Sequence, residues 1–386
     1  MRPSAHSGRF VLAIFVAVVV VLSAPFVGHI RSWIRATFPG QFVAIVTLLA
    51  AVTLLGVLVA AALRIRERRV ARDGAILAGI VLAAAYSQYA AGDNPESNAV
   101  ERFHFIEYGL VTFLFYRAWR PLEDLGVLLL PMLAGLIVGA AEEWLQWFIP
   151  NRVGEFRDIF LNGAAIASGL LFSLGVDPPA RVRLTLGRDS ARRGCWAAAA
   201  AVIALAAFVH AVHLGYDVED AEIGTFTSRY GARALPELQA AKEGEWKRDP
   251  PPMTLRRLSR EDQYLSEGLA HVRWRNRQWD AGNIRAAWSE NRILENYFAP
   301  VLDTPTYEGR GGHRWPAPQR ADAETRMSRA PIADRYVSQA YPYRILTWSR
   351  VTFWAFAGGL AAALVLLSRR PGALPVQERT ADEDRR

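Results

Sequence analysis

Ionisable and polar side chains interrupt an otherwise apolar stretch between residues 101 and 176. They fall near the ends of three hydrophobic segments and comprise Glu101, His104, Glu107, Glu142, Glu143, Asp158 and Asn162. Ionisable groups are costly to bury in a bilayer, so they are rare in membrane segments and usually functional. A histidine among several carboxylates is also the residue set that general acid–base catalysis uses. We therefore expect the functional site in this stretch.

Helical spacing places the first group of these side chains on one face. His104 and Tyr108 are four residues apart, with Glu101 one turn further out and Glu107 alongside. This face of the fourth hydrophobic segment is predicted to point into the site.

The next two segments each present a polar pair at the same end of the bundle. Gln146 follows Glu143 by three residues, and Asn162 follows Asp158 by four, near the start of the sixth segment. A carboxylate at a helix start also suits the helix dipole. Small residues then follow, which allow membrane helices to approach closely; they are Gly163, Ala164, Ala167, Ser168 and Gly169.

These positions define a predicted outward-facing pocket. The predicted catalytic residues are His104, Glu143 and Asp158. The predicted ligand-binding residues are Glu101, Glu107, Tyr108, Gln146, Arg152, Arg157 and Asn162, with the two arginines as counter-ions. The alternative is that these groups only pair with one another and fix the packing of the helices.

The rest of the chain predicts the membrane frame that positions this pocket. The 386 residues are 52% hydrophobic, with apolar runs of about 20 residues, the length that an α-helix needs to cross the hydrocarbon core. We predict an all-α, polytopic membrane protein with helices at about 10–27, 42–63, 75–91, 103–116, 125–148, 159–175, 196–214 and 347–367. Cys195 is the single cysteine, which excludes an intramolecular disulfide.

Arginine distribution predicts the orientation. Two five-arginine loops, 64–72 and 178–193, fall on one side together with Arg117, Arg120 and Arg369. Because short cytoplasmic loops are rich in Arg and Lys, we place both termini in the cytoplasm of a bacterial cell and residues 217–344 outside its inner membrane. The net charge of +8 is then mainly a topology signal, so a nucleic-acid partner is not expected.

Residues 215–346 are predicted to form a helical extracytoplasmic domain. Apolar positions at helical spacing predict an antiparallel helical hairpin with its break at Gly282, and they are Leu265, Leu269, Val272, Trp279, Ile284, Trp288, Leu294 and Phe298. Residues 303–330 are rich in Gly, Pro and Arg, which predicts an extended loop. The domain is a candidate partner-binding surface for another envelope protein.

A possible metal site lies at the outer end of the seventh helix. His210, His213 and Asp217 are spaced i, i+3 and i+7, so on one helix they would share a face suited to a divalent ion. The alternative is a helix end whose histidines meet water. Otherwise no cofactor is expected, since the chain has no phosphate-binding glycine loop, nucleophile elbow or HExxH motif.

The polar stretch resembles the VanZ-like family. The resemblance rests on the order acidic-x-x-His-x-x-x-Tyr, Glu-x-x-Gln-x-Phe-x-Pro-x-Arg and Arg-Asp-x-x-x-Asn-Gly, which begin here at Glu101, Glu143 and Arg157. It covers residues 75–176, and the added helices and outer segment depart from the simplest family pattern. The resemblance implies a small polytopic membrane domain, linked in the family's namesake to resistance to the glycopeptide teicoplanin.

Together these patterns predict seven parts and leave three functions open. The parts are two helices and a basic loop (1–74), the VanZ-like domain (75–176), a basic loop (177–193), helix seven (194–214), the outer domain (215–346), helix eight (347–368) and a disordered tail (369–386). The first function is an envelope factor that binds or acts on a membrane lipid or a lipid-linked precursor at the outer leaflet. A membrane-anchored scaffold and a transporter or flippase are the alternatives, although the last favours a site nearer the midplane.

Overall fold

The computed structural model describes residues 5–65, 69–149, 154–247, 263–306, 308–309, 311–328 and 335–369. The prediction of an all-α polytopic membrane protein is confirmed: in these ranges seven helices are long and apolar enough to cross a membrane. They are α1 Ala5–Thr37, α2 Phe42–Arg64, α3 Val70–Tyr89, α5 Gly126–Gln146, α6 Phe156–Val176, α7 Arg188–Val212 and α13 Arg350–Leu367. The predicted tail at 370–386 lies outside the described residues.

Helix α4, Pro95–Trp119, is the predicted spanning helix that is less apolar than these seven. It starts eight residues earlier than expected, because the Asn94 side chain accepts hydrogen bonds from the backbone of Glu96 and Ser97. Pro95 at the first helical position suits this start. The helix packs against α1, α5 and α6 and therefore lies inside the bundle.

Small residues bring α3, α4 and α6 into close contact. A Cβ atom at Gly169 would lie 2.7 Å from the Cα of Gly109, so these two helices meet at a pair of glycines. Ser168 Oγ donates a 2.6 Å hydrogen bond to the carbonyl of Gly79 on α3. The predicted role of Ser168 and Gly169 in close packing is confirmed, whereas Gly163 faces open space.

Ion pairs identify the two ends of the bundle. At one end Asp177, which follows α6, lies 3.1 Å from the guanidinium of Arg120 and 3.6 Å from that of Arg64. At the other end Arg157, on α6, pairs with Glu101 on α4 at 2.7 Å. The ends of α2, α4 and α6 therefore lie together at one end of the bundle, and the starts of α4 and α6 lie together at the other.

The segment after α7 folds into a domain that contains a sheet as well as helices. Its elements are β1 Tyr216–Asp220, β2 Gly224–Ser228, α8 Ala234–Trp246, α9 Gln263–Asp280, α10 Ile284–Tyr297, α11 Ala299–Asp303, α12 Ala317–Ser328 and β3 Tyr336–Val337. Strand β2 pairs antiparallel with β1 and parallel with β3. The purely helical prediction for this segment was incomplete, and the predicted loop at 303–330 contains α12.

The predicted hairpin is confirmed as α9 and α10. Gly282 links the two helices at a φ of +78°, a backbone conformation that favours glycine. Leu265, Leu269, Leu294 and Phe298 are buried in one apolar core with residues from β1, β2, α8 and α11.

The entry and exit of this domain are paired. The backbone N–H of Gly215 donates to the carbonyl of Leu346 at 2.9 Å, and the N–H of Leu346 donates to the carbonyl of His213 at 2.7 Å. Arg229 donates to the carbonyls of His210 and Ala211 at the end of α7. Backbone bonds therefore join the entry of the domain to its exit, and the Arg229 side chain holds the domain against the end of α7.

Candidate functional site

The centre of the candidate site is a buried hydrogen-bonded group at the meeting of α4 and α5. Tyr108 donates its hydroxyl to one carboxylate oxygen of Glu142. Gln146, one turn along α5, donates its amide to the other oxygen at 3.0 Å. All three side chains are buried, with Glu142 only 4% exposed. The Glu142 carboxylate is therefore in contact with two donors, one on α4 and one on its own helix.

Glu143 extends this group toward the loop that follows α5. Its side chain is fully buried and accepts a 3.4 Å contact from the Gln146 amide. Its second oxygen faces the backbone N–H of Glu155, also at 3.4 Å. The loop approaches closely because Gly154 has no side chain, and a Cβ there would lie 2.7 Å from the carbonyl of Glu143. The chain thus covers the Glu143 carboxylate.

Polar atoms without a hydrogen-bond partner line the same region. Asn162 on α6 is 1% exposed, yet neither its Oδ1 nor its Nδ2 has a partner among the described residues. A Cβ atom at Gly139 on α5 would lie 3.2 Å from that Nδ2 and 3.5 Å from the ring of Tyr108, so Asn162 is adjacent to Tyr108. The buried Nδ1 of His104 also has no partner there, and its ring stacks on Tyr108 with centroids 6.1 Å apart. An unpaired buried polar group typically costs about 1–3 kcal/mol, so these atoms call for an explanation.

A second, more exposed group lies nearer the end of the bundle. Arg157 pairs with Glu101 at 2.7 Å and also donates to the carbonyl of Ala90. Glu101 is close enough to Asp158 for the two carboxylates to interact, and His104 follows it by three residues on α4. Since Glu101 and Tyr108 are seven residues apart on α4, this group lies about 10 Å from the buried one along the helix.

We call the first group the buried layer and the second the outer layer. The buried layer comprises Tyr108, Glu142, Glu143, Gln146 and Asn162, and the outer layer comprises Glu101, Arg157 and Asp158, with His104 between the two. The structure therefore brings together the described residues of the predicted site, including the half-buried Glu107, whose charge acts on Tyr108. Arg152 lies outside the described residues.

Glu142 is the residue whose role the sequence analysis missed. It was recognised only as a polar interruption, whereas it is the acceptor for both Tyr108 and Gln146. The four-residue spacing of Glu142 and Gln146 is a signal that pointed to this bond. Helical spacing alone did not reveal which of the two adjacent glutamates faces α4.

The predicted metal site is not formed. Helix α7 ends at Val212, so Asp217 lies on β1 and does not share a helix face with the two histidines. His213 Nδ1 lies 2.8 Å from the carbonyl of Arg344, and Trp354 donates to His210 Nδ1 at 3.1 Å. Within the described ranges no group of three His, Cys, Asp or Glu side chains is arranged to hold a metal ion. The prediction was wrong because it assumed that the helix continues.

The domain after α7 has its own buried polar groups. Glu267 on α9 accepts a 2.6 Å hydrogen bond from Ser228 Oγ and a 3.0 Å bond from the backbone N–H of Arg229. Glu290 on α10 lies 2.6 Å from His271 Nδ1 and accepts a 2.5 Å bond from Ser338 Oγ. Both carboxylates are enclosed in the domain, and they connect its helices to its strands.

The membrane site is suited to binding a polar group more than to nucleophilic chemistry. Its buried layer contains Tyr108, the carboxylates of Glu142 and Glu143, and the amide of Gln146, which is hydrogen-bonded to both carboxylates. It also contains the amide of Asn162, neither polar atom of which has a partner among the described residues. The outer layer adds one arginine next to two carboxylates. A ligand with hydroxyl and amide groups has donors and acceptors for each of these side chains.

Comparison with known proteins gives no relative: no family model, no curated protein and no solved structure matches this chain.

Proposed function

We propose that this chain is a VanZ-like membrane protein of the bacterial cell envelope that binds the polar head of a lipid-linked or glycopeptide-related ligand. In this proposal the protein lies in the inner membrane with both termini in the cytoplasm. The buried and outer layers then face the outer leaflet, where such a ligand is found.

The observation that carries the proposal is the unpaired amide of Asn162. A side chain that only fixed helix packing would be expected to have its polar atoms satisfied, since buried groups almost always are. Asn162 instead keeps a donor and an acceptor without a partner among the described residues, beside the Tyr108 ring. Such an arrangement supports recognition of a ligand that carries both kinds of group.

The carboxylates of Glu143 and Asp158 support a role beyond helix packing. His104 lies between the two layers, and Glu143 and Asp158 lie on two other helices; histidine and carboxylates are the residue types that general acid–base catalysis uses. In the proposal these three groups orient the ligand or transfer a proton with it, and Arg157 holds an anionic part of the head group.

Substitution of Asn162 gives the sharpest test. Asn162→Leu removes the unpaired amide at similar volume, so the melting temperature of the purified protein should stay level or rise. Teicoplanin tolerance and co-purification of a lipid-linked species, detected by mass spectrometry, should both fall. Gln88→Leu, at an exposed position on α3, serves as the control and should change neither the tolerance nor the recovery of the lipid-linked species.

Three further variants address the catalytic or orienting groups. His104→Ala, Glu143→Gln and Asp158→Asn should reduce tolerance and ligand recovery while the protein still inserts and melts normally. Tolerance that fell only in step with membrane protein level would mean that these residues act in packing and would reject the proposal.

A scaffold is the second candidate, favoured by the separate apolar core of the domain between α7 and α13. In that case residues 217–344 bind another envelope protein and the membrane part anchors them. Replacing 217–344 with a short linker should abolish function if the scaffold role is correct. Retained ligand recovery by the deleted protein would instead favour the membrane site.

A further inference from the structure

A basic groove lies at the end of the bundle opposite the candidate site. It has a volume of about 470 Å³, and its polar lining consists of Arg64, Arg72, Arg120 and Asp177. Asp177 comes directly after α6 and is 19 residues from Asp158, which lies near the start of that helix. The groove therefore lies about 28 Å from the outer layer along α6. It is therefore a separate site.

Positively charged side chains predominate in the lining of the groove. Three guanidinium groups line it beside one carboxylate. Arg64 and Arg120 remain 48% and 38% exposed beside Asp177. The positive charges of Arg9, Arg64 and Arg120 also act on Arg117 of α4, and the Asp177 carboxylate opposes them. The field in the groove therefore favours an anion.

Hydrogen bonds to main-chain carbonyls hold two of the arginines in place. Arg72 donates to the carbonyls of Gly175 and Val176 at 3.0 and 2.9 Å, and Arg120 donates to that of Pro178 at 3.1 Å. These contacts suit the negative end of the α6 dipole. They account for the placement of Arg72 and Arg120, whereas Arg64 approaches from α2 and lies 3.6 Å from Asp177.

We propose that this groove binds the phosphate group of an anionic ligand between Arg64, Arg72 and Arg120. Arginine is well suited to phosphate because its planar guanidinium can donate two parallel hydrogen bonds. Two sources share this chemistry: the head group of an anionic phospholipid and a free phosphate compound. Leu63 and Val176 border the groove at the helix ends, and Leu63 is 82% exposed. The adjoining apolar surface favours the lipid, since basic pockets between membrane helices commonly bind such head groups.

The test uses two variants that are expected to change the affinity for an anionic lipid in opposite directions. The full chain in detergent is titrated with phosphatidylglycerol or phosphatidylcholine, and bound lipid is counted by native mass spectrometry. Arg64→Gln should weaken binding of phosphatidylglycerol by about fivefold, whereas Asp177→Asn should strengthen it by a similar factor, since both charges lie in the groove beside the proposed phosphate position and a basic residue contributes on this scale to binding of an anionic lipid. Arg181→Gln, an exposed position in the same loop region, is the matched control and should change nothing.

A second arm separates the two sources. Inorganic phosphate and glycerol phosphate are titrated by calorimetry and used as competitors of the lipid. Lipid binding that follows the variants and resists millimolar phosphate assigns the groove to a phospholipid. Phosphate binding that follows the same variants assigns it to a soluble compound.

Thermal melts keep the test decisive. If both variants lower the melting temperature and neither shifts an affinity in its expected direction, the arginines act only in packing and the proposal is wrong. Equal binding of phosphatidylcholine and phosphatidylglycerol, or an equal loss in Arg181→Gln, would also overturn it.

Discussion

Tyr108 on α4 donates its hydroxyl to Glu142 on α5, and both side chains are buried where the two helices meet. The same carboxylate accepts the amide of Gln146. This pair connects α4 and α5 on the inner side of the outer layer.

Tyr108→Phe should destabilise the protein by about 1–3 kcal/mol, because it removes a donor and leaves the Glu142 carboxylate less satisfied. The melting temperature of the detergent-purified protein measures this change. Tyr89→Phe, at a position that is 85% exposed, should have no comparable effect. Equal melting of the two variants would mean that Gln146 alone satisfies Glu142.

The glycine contact between α4 and α6 gives a steric prediction. Gly169→Ala places a Cβ 2.7 Å from the Cα of Gly109, and since backbone cannot rotate away, the helices must separate at a cost of about 1–3 kcal/mol. Gly163→Ala on the same helix meets nothing within 4 Å and should be neutral or stabilising by up to about 1 kcal/mol. Thermal unfolding of both variants checks the difference, and a similar loss of stability in the two would mean that the close contact with Gly109 is not its cause.

Glu267 gives the domain after α7 a pH-dependent stability. Burial raises the pKa of this carboxyl from 4.5 to about 7, although hydrogen bonds from Ser228 and Arg229 oppose the shift. The folded state binds the proton of Glu267 more tightly than the unfolded state does. The stabilisation that results is complete below about pH 4.5 and is lost as the pH rises through about 7. The loss by pH 8 is about 3 kcal/mol in the simplest two-state treatment.

Melting of the full chain between pH 5.5 and 8 measures this contribution, and Glu267→Gln isolates it. The variant keeps a neutral side chain at every pH, so it should lose the part of the slope that Glu267 supplies. An unchanged slope in the variant would assign the pH dependence to other groups.

Cysteine labelling tests the proposed orientation. In a Cys195→Ala background, an impermeant maleimide applied to intact cells should modify Glu222→Cys and leave Arg181→Cys unmodified, since the arginine-rich loops are expected inside. Both positions are exposed in the structure. Labelling at 181 without labelling at 222 would reverse the topology.

Local patterns predicted the parts of the fold that depend on neighbouring residues. The α9–α10 hairpin followed from apolar spacing and Gly282, and the role of Arg157 as a counter-ion, which the structure assigns to Glu101, followed from its predicted position. These features depend on periodicity and charge, which are visible in a single sequence.

Features that depend on distant contacts were not predictable. Strand β3 pairs with β2 but follows it by more than 100 residues in the chain. It contains only two residues, too few to show the alternating pattern of a strand. The end of α7 at Val212, where Arg229 meets the last carbonyls, could not be read from the histidine spacing, so the metal prediction failed. The choice of Glu142 over Glu143 as partner of Tyr108 depends on how α5 is rotated against α4.

The separation of α7 and α13 along the chain has a consequence for biosynthesis. The two helices pack together, and Trp354 donates to His210 across 144 positions. At typical synthesis rates of 5–20 residues per second, roughly 7 to 30 s pass between production of the two partners. During that interval α7 has no α13 beside it, and the intervening domain has time to fold first. Completion of the membrane bundle therefore waits for the last hydrophobic segment to leave the ribosome.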